Sequence, residues 1–207
     1  MASVNAPKGL LLAKKVGSGT NSTGINTVQV TDYTVASALL PSNLFTGDPI
    51  RIDPAGTVVP TSVTANKKIG GVFQGISYKN ADGEQKFSRH FTGGTTATDV
   101  KVFIADDPDQ TFFIQADATV TASTYSGYNS MNAAMLAGSG GSTITGNSSY
   151  VLDASSLAIT QQQLRVIRRA PWDTGESATG KTDQYPWYEV RINMHFDNFI
   201  TTTISVS

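Results

Sequence analysis

The sharpest chemical pattern in the sequence is Gly175-Glu176-Ser177-Ala178-Thr179-Gly180-Lys181-Thr182. It matches the Gly-rich loop that cradles nucleotide phosphates. That loop works only when a helix starts at its end, because free backbone N–H groups at a helix N-terminus hold the phosphates. Here Pro186 follows shortly after Lys181, and the residues beyond it alternate with period two, which is a strand pattern. The segment therefore reads as a polar hairpin loop from Thr174 to Gln184. Asp106, Asp107 and Asp109 offer oxygens at turn spacing, as calcium requires. They lack the Asx-Gly pattern and the terminal Glu of a calcium-binding loop, so a solvated turn around Pro108 is expected. Glu84, Glu176 and Glu189 are the only glutamates, and the aspartates cluster in turns. That distribution favours structural roles over paired acid–base catalysis. His90 and His195 fall in strand-like stretches and read as surface or hydrogen-bonded residues. No cysteine is present, which removes thiolate chemistry, disulfides and Cys-based metal centres together. No serine sits in a G-x-S-x-G elbow. Trp172, Tyr185, Trp187 and Tyr188 could stack on a sugar, or pack at a loop base or subunit contact. These residues imply no enzyme, no cofactor and no metal.

The elements that would position these side chains are strands. The chain has 207 residues with 39% hydrophobic and 15% charged, and 19 glycines. Both fractions lie below ordinary globular usage. Abundant Thr, Ser and Gly favour strands and tight turns over long helices. Low charge with seven Tyr, nine Phe and two Trp argues for a packed core rather than disorder. Lys plus Arg number 15 against 16 Asp plus Glu, which leaves no electrostatic footprint for nucleic acid. No apolar run approaches bilayer-spanning length, so no membrane partner is expected, and the start Met1–Leu12 lacks the features of an export signal.

Period-two patterning predicts strands at Ile25–Ala36, Lys68–Tyr78, Gln85–Phe91, Asp99–Ala105, Thr111–Gln115, Ala118–Thr121, Ser149–Leu152 and Gln163–Arg169. Ile50–Ile52 and Thr57–Val59 form a hairpin in this reading, and Asp82-Gly83 marks another hairpin turn. The strongest pattern is Trp187–Phe196, with Tyr188, Val190, Ile192, Met194 and Phe196 facing inward. Trp187, Glu189, Arg191, Asn193 and His195 then face outward. Asn132–Ala137 is expected to make one or two helical turns, and Gly138–Gly146 a mobile loop. The fold class is mostly β, with β-sandwich or barrel-like sheets, an extended N-terminal arm and only short helical turns. Residues 1–24 form the arm and its loop, and 25–207 the β domain, with a division into two β subdomains placed near 125–147.

Several segments together carry a resemblance. They are Asn5-Ala6-Pro7-Lys8-Gly9-Leu10, Phe45-Thr46-Gly47-Asp48-Pro49-Ile50, Ile69–Phe91, Val102–Pro108, Ser149-Tyr150-Val151-Leu152-Asp153 and Tyr188–His195. Their run along the chain resembles the small head structural proteins of tailed bacteriophages of marine and freshwater type. Those proteins decorate, or cement, the capsid exterior. The polar segment Pro171–Pro186 is longer than in that pattern. The resemblance implies a non-enzymatic protein that binds the outer capsid surface, bridges neighbouring major capsid subunits and stabilises the head. It implies a virion location after synthesis in the bacterial cytoplasm, and self-association, with a trimer as first expectation and a dimer as second. The capsid-contact residues would be Pro7, Lys8, Leu10, Leu11, Leu12, Lys14 and Lys15, unless the arm packs on its own domain. The alternative function is a receptor- or carbohydrate-binding fibre or adhesin module using Trp172 and Trp187.

Overall fold

The computed structural model describes residues 5–15, 30–36, 38, 40–52, 54–61, 67–118, 120–121, 131–136, 140–173, 182–183 and 185–196. In chain order the strands begin with β1 (Leu11–Lys15), β2 (Thr31–Val35), β3 (Leu44–Phe45), β4 (Pro49–Ile52), β5 (Val58–Pro60) and β6 (Gly71–Lys79). They continue with β7 (Gln85–Ser88), β8 (His90–Phe91), β9 (Thr98–Ala105), β10 (Gln110–Gln115), β11 (Val120–Thr121) and β12 (Asn132–Ala133). The last are β13 (Met135–Leu136), β14 (Val151–Leu152), β15 (Leu164–Arg169), β16 (Thr182–Asp183) and β17 (Trp187–Ile192). The fold is mostly β, as the composition predicts. Among the described residues helix is confined to short turns such as Ala154–Ser156, where the Asp153 side chain accepts the Ser155 N–H.

Two antiparallel sheets dominate. One has the order β1-β10-β17-β15-β12; the other runs β2-β9-β6-β4-β5, with β7 also paired to β6. Alternation explains the second sheet. In β9, Val100, Val102 and Ile104 are buried while Asp99 and Lys101 face water. The β6–β7 hairpin turns through Asn80, whose side-chain oxygen accepts the N–H groups of Asp82 and Glu84 at 3.1 and 2.8 Å. One apolar cluster includes Leu10, Phe112, Ile114, Leu164, Val166, Tyr188, Val190 and Ile192. A second includes Leu40, Ile50, Phe73, Ile76, Phe91, Val102 and Ile104. They meet across β6 and β9: Val72 and Ala105, a cross-strand pair, belong to the first cluster, and Phe73 and Ile104, the next pair, to the second. The chain passes from one sheet to the other at the Asp106–Asp109 turn.

Two local expectations change, and two more are met only as far as the described residues reach. Asn132–Leu136 is not helical. Asn132 and Ala133 pair with β15, Met135 and Leu136 with β14, and this pairing overrides the mild helix preference of the Ala-rich run. Of the loop expected at Gly138–Gly146, 138–139 lie outside the described residues, and the rest touches the body of the protein at two points. Gly146 O accepts the Thr46 N–H at 2.9 Å, and Gly141 lies flat on the Phe45 ring, where a Cβ would come within 2.1 Å. The last strand ends at Ile192, because Asn193 N–H and Met194 N–H turn to Gln163 O. That turn carries His195 inward, where it is buried beside Ile69 instead of facing solvent, and leaves Phe196 exposed. Of the strand expected at Ile25–Ala36, Thr31–Val35 is observed, and 25–29 lie outside the described residues.

Candidate functional site: the outer face of the five-stranded sheet

The N-terminal segment supplies one edge of the five-stranded sheet. Leu11, Leu12, Lys14 and Lys15 pair antiparallel with Phe113, Phe112, Thr111 and Gln110, with a bulge between Leu12 and Lys14. Gly9 makes the entry possible. Its φ is +67°, and a Cβ there would sit 2.5 Å from both the Gly47 carbonyl oxygen and the Ser148 Cβ, so only glycine fits. The Leu10 N–H then donates to Gly47 O at 2.9 Å, and the Ala6 N–H to the Gln115 side chain at 2.9 Å. Leu10 is fully buried, Leu12 packs against the same cluster, and Pro7 is half-buried. Lys8 is exposed, and the Lys15 side chain lies outside the described residues. Over residues 6–15 the arm thus packs on its own domain, and of the seven expected contact residues Leu11 and Lys14 reach the outer sheet face.

Register builds that face in two rows. Lys14, Thr111, Arg191 and Arg165 stand side by side across four strands; Leu11, Phe113, Glu189 and Arg168 form the next row. Glu189 is the centre. It is fully buried, its Oε1 accepting the Thr111 hydroxyl at 3.0 Å and its Oε2 the Arg168 Nε–H at 2.6 Å, with Lys14 Nζ at 3.8 Å. A carboxylate held by a hydroxyl and two cations is satisfied despite its burial. Arg191 reaches Asp109 at 3.6 Å. Three cationic side chains therefore pair with two carboxylates, and Arg165 stands in the same row beside Arg191, on a chain whose formal charge is −1.

An aromatic pair borders the charges. The Asp173 carboxylate accepts the Arg169 guanidinium at 2.7 Å and the Trp187 N–H at 2.6 Å, which pins the turn after β15. Trp172, 57% exposed, then stands edge-on to Phe113 with ring centroids 4.1 Å apart. Of the four aromatics read as one group from sequence, Tyr188 alone turns into the core, while register puts Trp187 on the same side of the sheet as Phe113, which Trp172 covers. Tyr185 O accepts the Gln115 amide at 3.1 Å. The Gly175–Gly180 loop and Lys181 lie outside the described residues, but Thr182–Asp183 is a strand paired with β11, where a phosphate loop would need a helix. Asp109 N–H and Gln110 N–H both turn back to Asp107, as a solvated turn does. Asp106 instead accepts hydrogen bonds from the Thr31 and Tyr33 hydroxyls. Among the described residues no group of three His, Asp or Glu side chains could hold a metal ion, and no helix is long and apolar enough to cross a membrane.

A second ionisable site lies where the arm crosses the other sheet. Asp48 is buried; its carboxylate accepts the Phe45 N–H at 2.8 Å and is hydrogen-bonded by Ser148. Desolvation outweighs those bonds and pushes its pKa up to about 6. Tyr150 beside it is pushed up to about 12, by burial first and by the Asp48 charge second, and its hydroxyl donates to Thr61 O at 3.1 Å.

No protein-family model matches the chain, and neither a curated protein nor a solved structure is significantly similar to it.

Sequence reasoning missed Thr111, Phe113, Arg165, Arg168, Glu189 and Arg191 as one assembly. The available signal was the charge on neighbouring strands, Arg165, Arg168 and Arg169 on one and Glu189 and Arg191 on the other. Pairing order alone makes them neighbours, and a single sequence does not contain it.

Proposed function

We propose that the protein is a non-enzymatic structural component of a tailed-phage virion that binds the outer surface of the head and bridges neighbouring major capsid subunits. One observation carries this reading. The segment that the resemblance marks as capsid-binding contributes Leu11 and Lys14 to a face whose charge is opposite to that of the chain as a whole. A sheet face with an aromatic pair and excess cations suits an acidic protein surface. Self-association follows from occupying repeated positions on a symmetric shell, with a trimer over a local threefold preferred and a dimer second. Binding only the assembled lattice stabilises it by mass action.

The test is co-sedimentation of the full chain with mature cognate heads stripped of it, against heads of an unrelated phage. Saturable binding at a fixed stoichiometry is expected, weakening as salt rises. Arg165→Glu and Trp172→Ala should each reduce it, since both side chains are exposed and their loss leaves the core intact. Deleting residues 1–15 is a poor probe, because it removes Leu10 from the core. Absence of binding to the cognate shell overturns the reading.

A further inference from the structure

The outer face of the six-stranded sheet has a different chemistry. β2, β9, β6 and β7 lie side by side, and register places Thr34, Lys101, Ser77 and Phe87 in one row, with Asp32 beside Phe103 in the next. An open groove of about 690 Å³ runs over these residues. We propose that this groove is a binding site for an extended, neutral oligosaccharide.

Charge selects the class of ligand. Lys101 pairs with Asp32 at 3.3 Å and Lys79 with Asp99 at 2.6 Å, so the groove carries two cations and two carboxylates, already matched. An ionic ligand finds no net field there, whereas a polyhydroxylated one meets carboxylate acceptors and ammonium donors fixed in place. Gln85 donates to the Ser77 hydroxyl at 2.6 Å, which orients a further amide and hydroxyl. Nucleic acid would need excess cations, and a purely apolar ligand would strip water from all four charges.

Aromatic exposure points the same way. Phe87 is 76% exposed on the outer side of β7, and Phe103 is half-buried on β9. Aromatic walls with a few placed polar groups are what small-ligand sites use, and the C–H faces of pyranose rings pack on them. The two rings stand two strands and one row apart, roughly 12 Å from the usual sheet spacings. That span suits a short chain of sugars rather than one ring. Asp99 has φ +49°, an uncommon conformation for a non-glycine residue, and its carboxylate meets Lys79 at the groove. None of these residues belongs to the Lys14–Arg165 face, so the proposal stands independently of head binding.

The test is calorimetric titration of the full chain with maltohexaose, cellohexaose and chitohexaose, and with a sulfated oligosaccharide as the charged comparison. At least one neutral hexasaccharide should bind saturably, with Phe87→Ala weakening it by about tenfold or more. Trp172→Ala should leave binding unchanged. Phe87 is exposed enough for its removal to spare folding, which circular dichroism would check. The proposal falls if no neutral hexasaccharide saturates up to roughly 10 mM. It also falls if the sulfated ligand binds best, or if binding survives Phe87→Ala and is lost in Trp172→Ala.

Discussion

Two buried carboxylates, Asp48 and Glu189, illustrate how environment decides what a residue does. Glu189 has two cations and a hydroxyl within reach, so its carboxyl oxygens are paired despite full burial. Asp48 is held by the Phe45 N–H and by Ser148, both neutral partners, and burial raises its pKa from 3.8 to about 6. A carboxyl whose folded pKa lies above its unfolded value adds stability that is fully present below pH 4. That stability is lost as pH rises through 6, because the native state holds the proton more tightly. Two units correspond to roughly 3 kcal/mol. Asn keeps the acceptor without the charge, so Asp48→Asn and the wild type should have similar stability near pH 4. At pH 7 the variant should be the more stable, by up to about 3 kcal/mol. Urea unfolding of both proteins across that range measures the difference. A gap that is flat with pH would show that Asp48 is not the group responsible.

At the scale of elements, the N-terminal strand depends on its entry more than on its own sequence. Leu11–Lys15 is short, and its bulge breaks the ladder; it is held because Leu10 is buried and the chain passes over Gly47 without a side chain at Gly9. Gly9→Ala must shift backbone against backbone at positive φ, and should cost about 2–4 kcal/mol. Hydrogen exchange would locate the damage. Amides of Leu11–Lys15 and their partners in β10 should lose protection first, while those of β9 stay protected. Uniform loss across both sheets would sink the idea that Gly9 acts through the arm alone.

Much of this level was legible in the residues. The alternation in Asp99–Ala105 and Trp187–Ile192 gave both the strands and their buried sides, and Asp82-Gly83 gave the hairpin. The extended character of Pro7–Lys15 was legible too, but not its partner: β10 lies about a hundred residues away, and nothing local encodes that pairing. Glu189 looked like a solvent-facing residue because period-two patterning assigns a side of the sheet, not what covers that side. His195 failed for the opposite reason, since the alternation runs on in sequence past Ile192 while the backbone turns away toward Gln163.

For the whole molecule, the decisive feature is the place where the clusters meet. β6 and β9 lend Val72 and Ala105 to one cluster and Phe73 and Ile104 to the other, and all four are fully buried. Neither sheet can lose these strands without uncovering both cores. Terminal elements reinforce the tie: β1 and β17 both lie in the five-stranded sheet, while the chain between Thr31 and Ala105 builds the six-stranded one. Unfolding should therefore be a single cooperative transition, with calorimetric and van't Hoff enthalpies in agreement. Substitutions on opposite sides of β6 report on this directly. Val72→Ala and Phe73→Ala remove apolar volume from different clusters, at about 2 and 4 kcal/mol. In a protein of this size each kcal/mol is worth roughly 2–4 °C. Both variants should lower one shared transition, with near-UV and far-UV signals moving together. If Phe73→Ala instead split the melt into two steps, leaving Trp187 fluorescence at its original midpoint, the two sheets would be separately folding units.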